Sequence, residues 1–181
     1  MDASNLLIII PARGGSKGLP GKNAKTLGKY PLLQWTSDAV ALSGLENYQC
    51  ILSTDDEEIA AIGKNIGLDV PFIRPNELAN DTATAVDVVN HAHNWFVSER
   101  DFDAKYLMLL QPTSPFRPPY IIQKAYSMLL ERSTDAVTGV KPIHRNLSTL
   151  FYAYEQQNMI PLDEQAELIT RRQDVHTLYT P

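Results

Sequence analysis

Leu6-Leu-Ile-Ile-Ile10 runs straight into Pro11-Ala-Arg-Gly-Gly-Ser-Lys-Gly-Leu-Pro-Gly-Lys-Asn23. The five apolar residues are too few for a typical helix and rich in β-branched types, so they predict a buried strand. Behind them, Gly14, Gly15, Gly18 and Gly21 free the backbone to turn tightly and to approach a ligand closely. Arg13, Lys17, Lys22, Lys25 and Lys29 follow with no acid between Asp2 and Asp38, in a chain whose formal net charge is -5. A cationic, glycine-rich loop at a strand's C-terminal end is a place for a polyphosphate.

Two common phosphate-binding patterns are excluded. A Walker loop needs glycine five residues before Gly21, where Ser16 stands, and Ser or Thr after Lys22, where Asn23 stands. No Gly-x-Gly-x-x-Gly is present, which removes the dinucleotide fingerprint. At 181 residues, 44% hydrophobic and 20% charged, the chain has the make-up of one ordinary globular domain. Its acidic balance argues against general nucleic-acid binding, which wants a broad basic face. The lone Cys50 excludes an intrachain disulfide framework and reads as a small core hydrophobe. With no signal peptide and no membrane-length apolar run, a cytoplasmic protein without a membrane partner is expected.

Outward from the first strand, helix and strand patterns alternate. A helix is expected from Pro31 to about Leu42, a strand at 49–53, and a helix from Asp55 to Ile66 that Gly67 stops. A short strand at 70–73, a polar loop at 74–82, a helix at 83–98 and a strand at 106–110 come next. Four prolines break 111–119; a helix to Arg132 and a strand at 135–140 follow, and 150–154 is a further candidate strand. Such alternation implies right-handed crossovers and a mostly parallel sheet covered on both faces. The loops starting at Pro11, Ser53, Arg74 and Gln111 then share the rim where such sheets bind ligands.

Three motifs stand together: the 11–23 loop, Arg-Pro-x-Glu-Leu-Ala-x-Asp-Thr at 74–82, and Leu-Leu-Gln-Pro-Thr-Ser-Pro-Phe-Arg at 109–117. In that order and at those separations the chain resembles the acylneuraminate cytidylyltransferases, the CMP-sialic acid and related CMP-nonulosonate synthetases. The resemblance implies an α/β, three-layer, nucleotide-diphospho-sugar-transferase-like (Rossmann-like) fold with a C-terminal dimerisation arm at about 141–181. It also implies CTP as nucleotide, Mg²⁺ as cofactor, a nine-carbon 2-keto sugar acid as acceptor, and a homodimer. Carried over by motif position, Ala12, Arg13, Gly14, Ser16, Lys17, Lys22, Asn23, Arg74, Thr82 and Thr84 are the expected nucleotide-binding residues. Gln111, Arg171 and Arg172 are expected at the sugar acid, and Arg13, Lys17, Gln111 and Arg172 carry the catalytic roles.

The implied reaction is in-line attack by the sugar's anomeric hydroxyl on the α-phosphorus, with pyrophosphate leaving. Positioning and charge neutralisation do most of that work. Arg13 offers a planar fork to two phosphate oxygens, Lys17 and Lys22 act as point charges, and Gln111 both donates and accepts. The family's late Asp-x-Asp metal pair is expected C-terminal to Pro181, so no metal ligand is expected within 1–181 and the chain is expected to be a fragment. Ala83, Thr84 and Ala85 where sialate enzymes tend to carry serine, and Ser148 where they often place lysine, leave the sugar open. The alternatives are a non-catalytic or truncated nucleotide-binding module, or a cytidylyltransferase for Kdo, legionaminate or pseudaminate. Kdo is the weaker fit, because 111–115 lacks the acidic Gly-Asp-Glu-Pro type.

Elsewhere the plainer readings hold. His91 and His93, two apart on a helix, point away from each other and form no metal pair. Asp55 and Asp56 read as the acids of a helix start rather than as metal ligands.

Overall fold

The computed structural model describes residues 5–15, 18–143, 151–154, 158–161 and 178–180. They fall into two compact units, Met1–Ser127 and Met128–Pro181. The first unit is built on β1 (Leu6–Pro11), whose leucines and isoleucines are all buried. A strand buried on both faces belongs between neighbours, and among the described residues β1 lies in the middle of a three-stranded sheet. One neighbour is β4 (Tyr48–Ser53), paired in parallel with Ile8 opposite Cys50 and Ile10 opposite Leu52. The other is β5 (Tyr106–Leu109), also parallel, with Ile8 opposite Met108.

Alternation along β1 sorts the helices into layers. Leu6 and Ile8 pack with Ala39 and Val40 of α1 (Leu32–Ala41) and with Ile122 of α4 (Pro119–Arg132). Ile10 and Leu52, on the same face, meet Ile59 of α2 (Glu57–Asn65). Leu7, Ile9 and Ile51 face the other way, onto Ala92 and Phe96 of α3 (Ala85–Arg100). Helices therefore cover both faces, the three-layer α/β arrangement that the alternation of patterns implies.

Local departures from the expected elements have local causes. Between the first loop and α1 lies a small antiparallel hairpin, β2 (Thr26–Leu27) and β3 (Tyr30–Pro31), turning at Gly28 with φ 65. Residues 70–73 do not form a strand. They follow the β4 edge through two isolated parallel bridges, Ile51 to Asp69 and Thr54 to Ile73, because Pro71 has no N–H to give a ladder. Helix α3 begins two residues later than the pattern suggests, where Thr84 and Asp87 close a reciprocal capping box. Residues 135–140 form no strand either; they are nearly all exposed, with no apolar face buried to hold them in a sheet.

In the second unit, β6 (Lys141–Ile143) pairs antiparallel with β9 (Leu178–Thr180), and β7 (Phe151–Tyr154) with β8 (Asn158–Pro161). The strand expected at 150–154 is therefore present as β7, while most of the expected arm at 141–181 lies outside the described residues. Among the described residues no helix is long and apolar enough to cross a membrane.

Candidate active site

At the C-terminal ends of β1 and β5 the first unit opens into a cleft of about 450 Å³. Its wall is drawn from the loop after β1 (Arg13, Lys22, Asn23), the segment from Arg74 to Ala85, and the loop after β5 (Gln111 to Thr113). Segments that span residues 13 to 113 of the sequence thus meet in one space, as the geometry of parallel sheets predicts.

The loop after β1 is held from behind. Ala12, fully buried, donates its N–H to the Ser53 carbonyl at 3.0 Å, continuing the β1–β4 register. The peptide between Arg13 and Gly14 is fixed on both sides. Its carbonyl accepts from Asn23 Nδ2 at 3.0 Å, and its N–H donates to Asp55 Oδ1 at 3.2 Å. Glycine at 14 is a steric need, since a Cβ there would lie 2.5 Å from Asp56 Oδ2. Asp56 itself caps α2, accepting from the N–H groups of Glu58 and Ile59 at 2.9 and 3.0 Å.

The two arginines differ in setting. Arg13, about a third exposed, reaches across to the next wall, where Nη1 donates to Asp81 Oδ1 at 3.2 Å and to the Asn80 carbonyl at 3.3 Å. Arg74 is only 3% exposed and pairs through Nη2 with Asp55 Oδ1 at 3.4 Å. Burial pulls its pKa down, and the Asp55 carboxylate opposes that fall. Its Nε is buried and has no hydrogen-bond partner among the described residues, and the same is true of Asn23 Oδ1. A buried donor and a buried acceptor on residues that line one cleft are poised for a polar ligand.

Further along the segment that carries Arg74, Asn80 Oδ1 gathers the N–H and hydroxyl of Thr82 and the N–H of Ala83, all within 2.9 Å. Thr84 then accepts from Asp87 N while its hydroxyl donates to Asp87 Oδ2 at 2.7 Å. Gln111 is exposed; its Oε1 accepts from Thr113, and its carbonyl accepts from Arg117 Nη2 at 3.3 Å.

Of the residues singled out from the sequence, Arg13, Lys22, Asn23, Arg74, Thr84 and Gln111 line the cleft. Ala12, Gly14 and Thr82 do not: the first two stand behind the wall, and the Thr82 hydroxyl is engaged by Asn80. Ser16, Lys17, Arg171 and Arg172 lie outside the described residues. Among the described residues no group of three or more His, Cys, Asp or Glu that could hold a metal ion is found.

A family model described as "Cytidylyltransferase" matches residues 7–179. The chain belongs to the cytidylyltransferase family. Over 140 residues it is 37% identical to the CMP-N,N'-diacetyllegionaminic acid synthase of Legionella pneumophila, covering 76% of this chain and 58% of that protein. Over 114 residues it is 41% identical to the N-acylneuraminate cytidylyltransferase of Escherichia coli, covering 63% of this chain and 26% of that one. A solved structure of CMP:2-keto-3-deoxy-manno-octonic acid synthetase complexed with CTP superposes with a TM-score of 0.59 at 20% identity, over 72% of this chain and 49% of that one. That likeness establishes a cytidylyltransferase-type fold. The chain thus spans little more than half the length of the legionaminic acid relative and about a quarter of the acylneuraminate one.

Family membership leaves Asp55, Asn80 and Asp81 to the geometry, because sequence reasoning did not single them out for the site. Asp55 reads as one of four helix-opening acids, yet it lies before α2 and turns toward Gly14 and Arg74. The available signal was the excess of acids: Asp56 alone caps the helix, and Glu57 and Glu58 fill its first turn.

Proposed function

We propose that this chain forms the nucleotide-binding and catalytic part of a CTP-dependent cytidylyltransferase, which transfers CMP to the anomeric hydroxyl of a nine-carbon 2-keto sugar acid and releases pyrophosphate. The observation that carries this reading is the meeting of Arg13, Lys22, Asn23, Arg74 and Gln111 in one cleft of a cytidylyltransferase-family chain. A bond forms from the sugar oxygen to the α-phosphorus as the bond to pyrophosphate breaks, and charge accumulates on the phosphate oxygens. Arg13 and Lys22 neutralise it, joined by Ser16 and Lys17 from the same loop. Arg74 Nε and Asn23 Oδ1, each lacking a partner among the described residues, would engage the nucleotide. Gln111 meets the sugar acid at the other end; Arg171 and Arg172, outside the described residues, are assigned to its carboxylate by motif position alone. Thr84 contributes through its backbone and the helix it caps, because its hydroxyl is already taken by Asp87.

Mg²⁺ belongs to this reading as the family's cofactor, where it would neutralise triphosphate charge; the described residues contain no cluster of three or more His, Cys, Asp or Glu to hold it, and one or two carboxylates with the triphosphate's own oxygens would suffice. A homodimer joined through the segment from about 141 to 181, and a cytoplasmic site where CTP is at hand, complete the reading. Both follow from the family resemblance and the substrate's chemistry.

Pyrophosphate release from CTP, measured with sialic, legionaminic, pseudaminic and Kdo acceptors and added Mg²⁺, tests the reading. Release that depends on one nine-carbon acid is expected. Tight CTP binding without turnover on any acceptor would overturn it in favour of a non-catalytic module.

A further inference from the structure

Asp55 does not line the cleft, yet one of its oxygens touches both walls that carry an arginine. Oδ1 accepts the Gly14 N–H at 3.2 Å and pairs with Arg74 Nη2 at 3.4 Å. The first contact acts on Arg13 through geometry. The Arg13–Gly14 peptide is a rigid plane, and it is gripped by Asp55 at its N–H and by Asn23 Nδ2 at its carbonyl. With both ends held, the direction in which the Arg13 side chain leaves the backbone is set. The same bond consumes the Gly14 amide, which is therefore not offered to a phosphate.

The second contact acts on Arg74 through charge. A guanidinium that is 3% exposed is costly to hold without a counter-charge, and Asp55 is the carboxylate paired with it. The Arg74 backbone is fixed independently, its N–H donating to the Thr54 carbonyl at 2.7 Å. Asp55 therefore decides where the far end of that side chain sits, with Nε left unpaired among the described residues.

We propose that Asp55 is a positioning residue for nucleotide binding, holding the Arg13–Gly14 peptide plane and the Arg74 guanidinium in the orientation the triphosphate nucleotide requires. It touches no substrate. The proposal rests on the CTP reading given above, and the test separates the two. CTP affinity is measured by titration calorimetry on the full chain as wild type, Asp55→Ala, Asp55→Asn, Arg74→Ala and the double variant Asp55→Ala/Arg74→Ala, with the thermal midpoint of each.

Wild-type protein binds CTP, and Asp55→Ala weakens binding about tenfold or more, the usual scale for losing a charged hydrogen bond. Asp55→Asn, which keeps an acceptor for Gly14 but not the charge, falls between the two. The double variant is no weaker than the worse single one plus the Gly14 share, so the effects are less than additive. Should Asp55→Ala fail to fold, Asp55→Asn carries the test: weakened CTP binding at a near-normal midpoint supports positioning. A lowered midpoint with unchanged affinity in the folded fraction, or fully additive effects, overturns it while leaving the CTP reading intact. No CTP binding by wild-type protein overturns the CTP reading, and the positioning role with it.

Discussion

Arg13 and Asp81, 68 residues apart, join the two facing walls of the cleft through a 3.2 Å ion pair. The carboxylate occupies a donor of the same guanidinium that the proposed function assigns to a phosphate. An incoming triphosphate must compete with it and also meets its negative charge. Asp81→Asn is therefore expected to tighten CTP binding rather than weaken it. Asp81 is about half exposed, so the gain is screened and amounts to a few-fold, about fivefold at most. Titration at low and high salt checks this; weaker binding by the variant at both salts would contradict it.

Gly63 sits on the buried face of α2, where a Cβ would collide with the fully buried Leu52 side chain. Replacing a helical glycine by alanine gains about 1 kcal/mol from propensity. Overpacking a core that cannot yield costs about 1–3 kcal/mol. Overpacking wins because Leu52 is enclosed between β1 and α2. Gly63→Ala is expected to unfold at lower denaturant with an unchanged slope, and a stabilised variant would show that Leu52 has room to move.

Thr84 and Asp87 make the start of α3 sensitive to acid. Asp87 accepts from both the hydroxyl and the N–H of Thr84, and those bonds hold its carboxyl below the usual carboxylate range. A depressed carboxyl stabilises the fold at pH above its unfolded value, and that contribution is lost as pH falls through its folded value. Protection of the Asp87 and Val88 amides, relative to their intrinsic exchange rates, should fall below about pH 4. Thr84→Ala should lose about 1 kcal/mol at neutral pH and shrink the acid-dependent step, leaving only the share held by the backbone N–H at position 84. A step of undiminished size in the variant would assign it to another group.

Cys50 provides a probe of β4. Burial first, and then the field of Asp69, pushes its thiol pKa up to about 12. At pH 8 only about one thiol in ten thousand is then ionised, and the thiolate is the reactive form. Native protein should resist iodoacetamide at pH 8 and become reactive once unfolded in urea. Rapid labelling of the native chain would mean that β4 opens locally.

What the sequence disclosed, and what it withheld, follows from range. The β1 run carries its message locally: five consecutive apolar residues admit one structural answer, and glycines with lysines behind them mark a rim loop. The Thr84 cap shifts α3 by two residues because a capping box outweighs the apolar pattern just before it. Pro71 sits inside an apparently good strand, yet the cost of its missing N–H appears only once β4 is known to lie alongside. Asp55 was least legible. Four acids in a row look alike until Gly14 and Arg74, 41 residues before and 19 residues after it, are brought against one of them.

Placing β1 between β4 and β5 also sets a timetable. Leu6 faces Tyr48 on one side and Tyr106 on the other, so its second partner is synthesised 100 residues after it. Until then an all-apolar strand has one open edge, a state that invites mispairing with other nascent chains. The central strand of the sheet is thus also its most vulnerable one during translation. Slow elongation before residue 106 should leave the polypeptide dependent on chaperones for longer than its size alone would suggest.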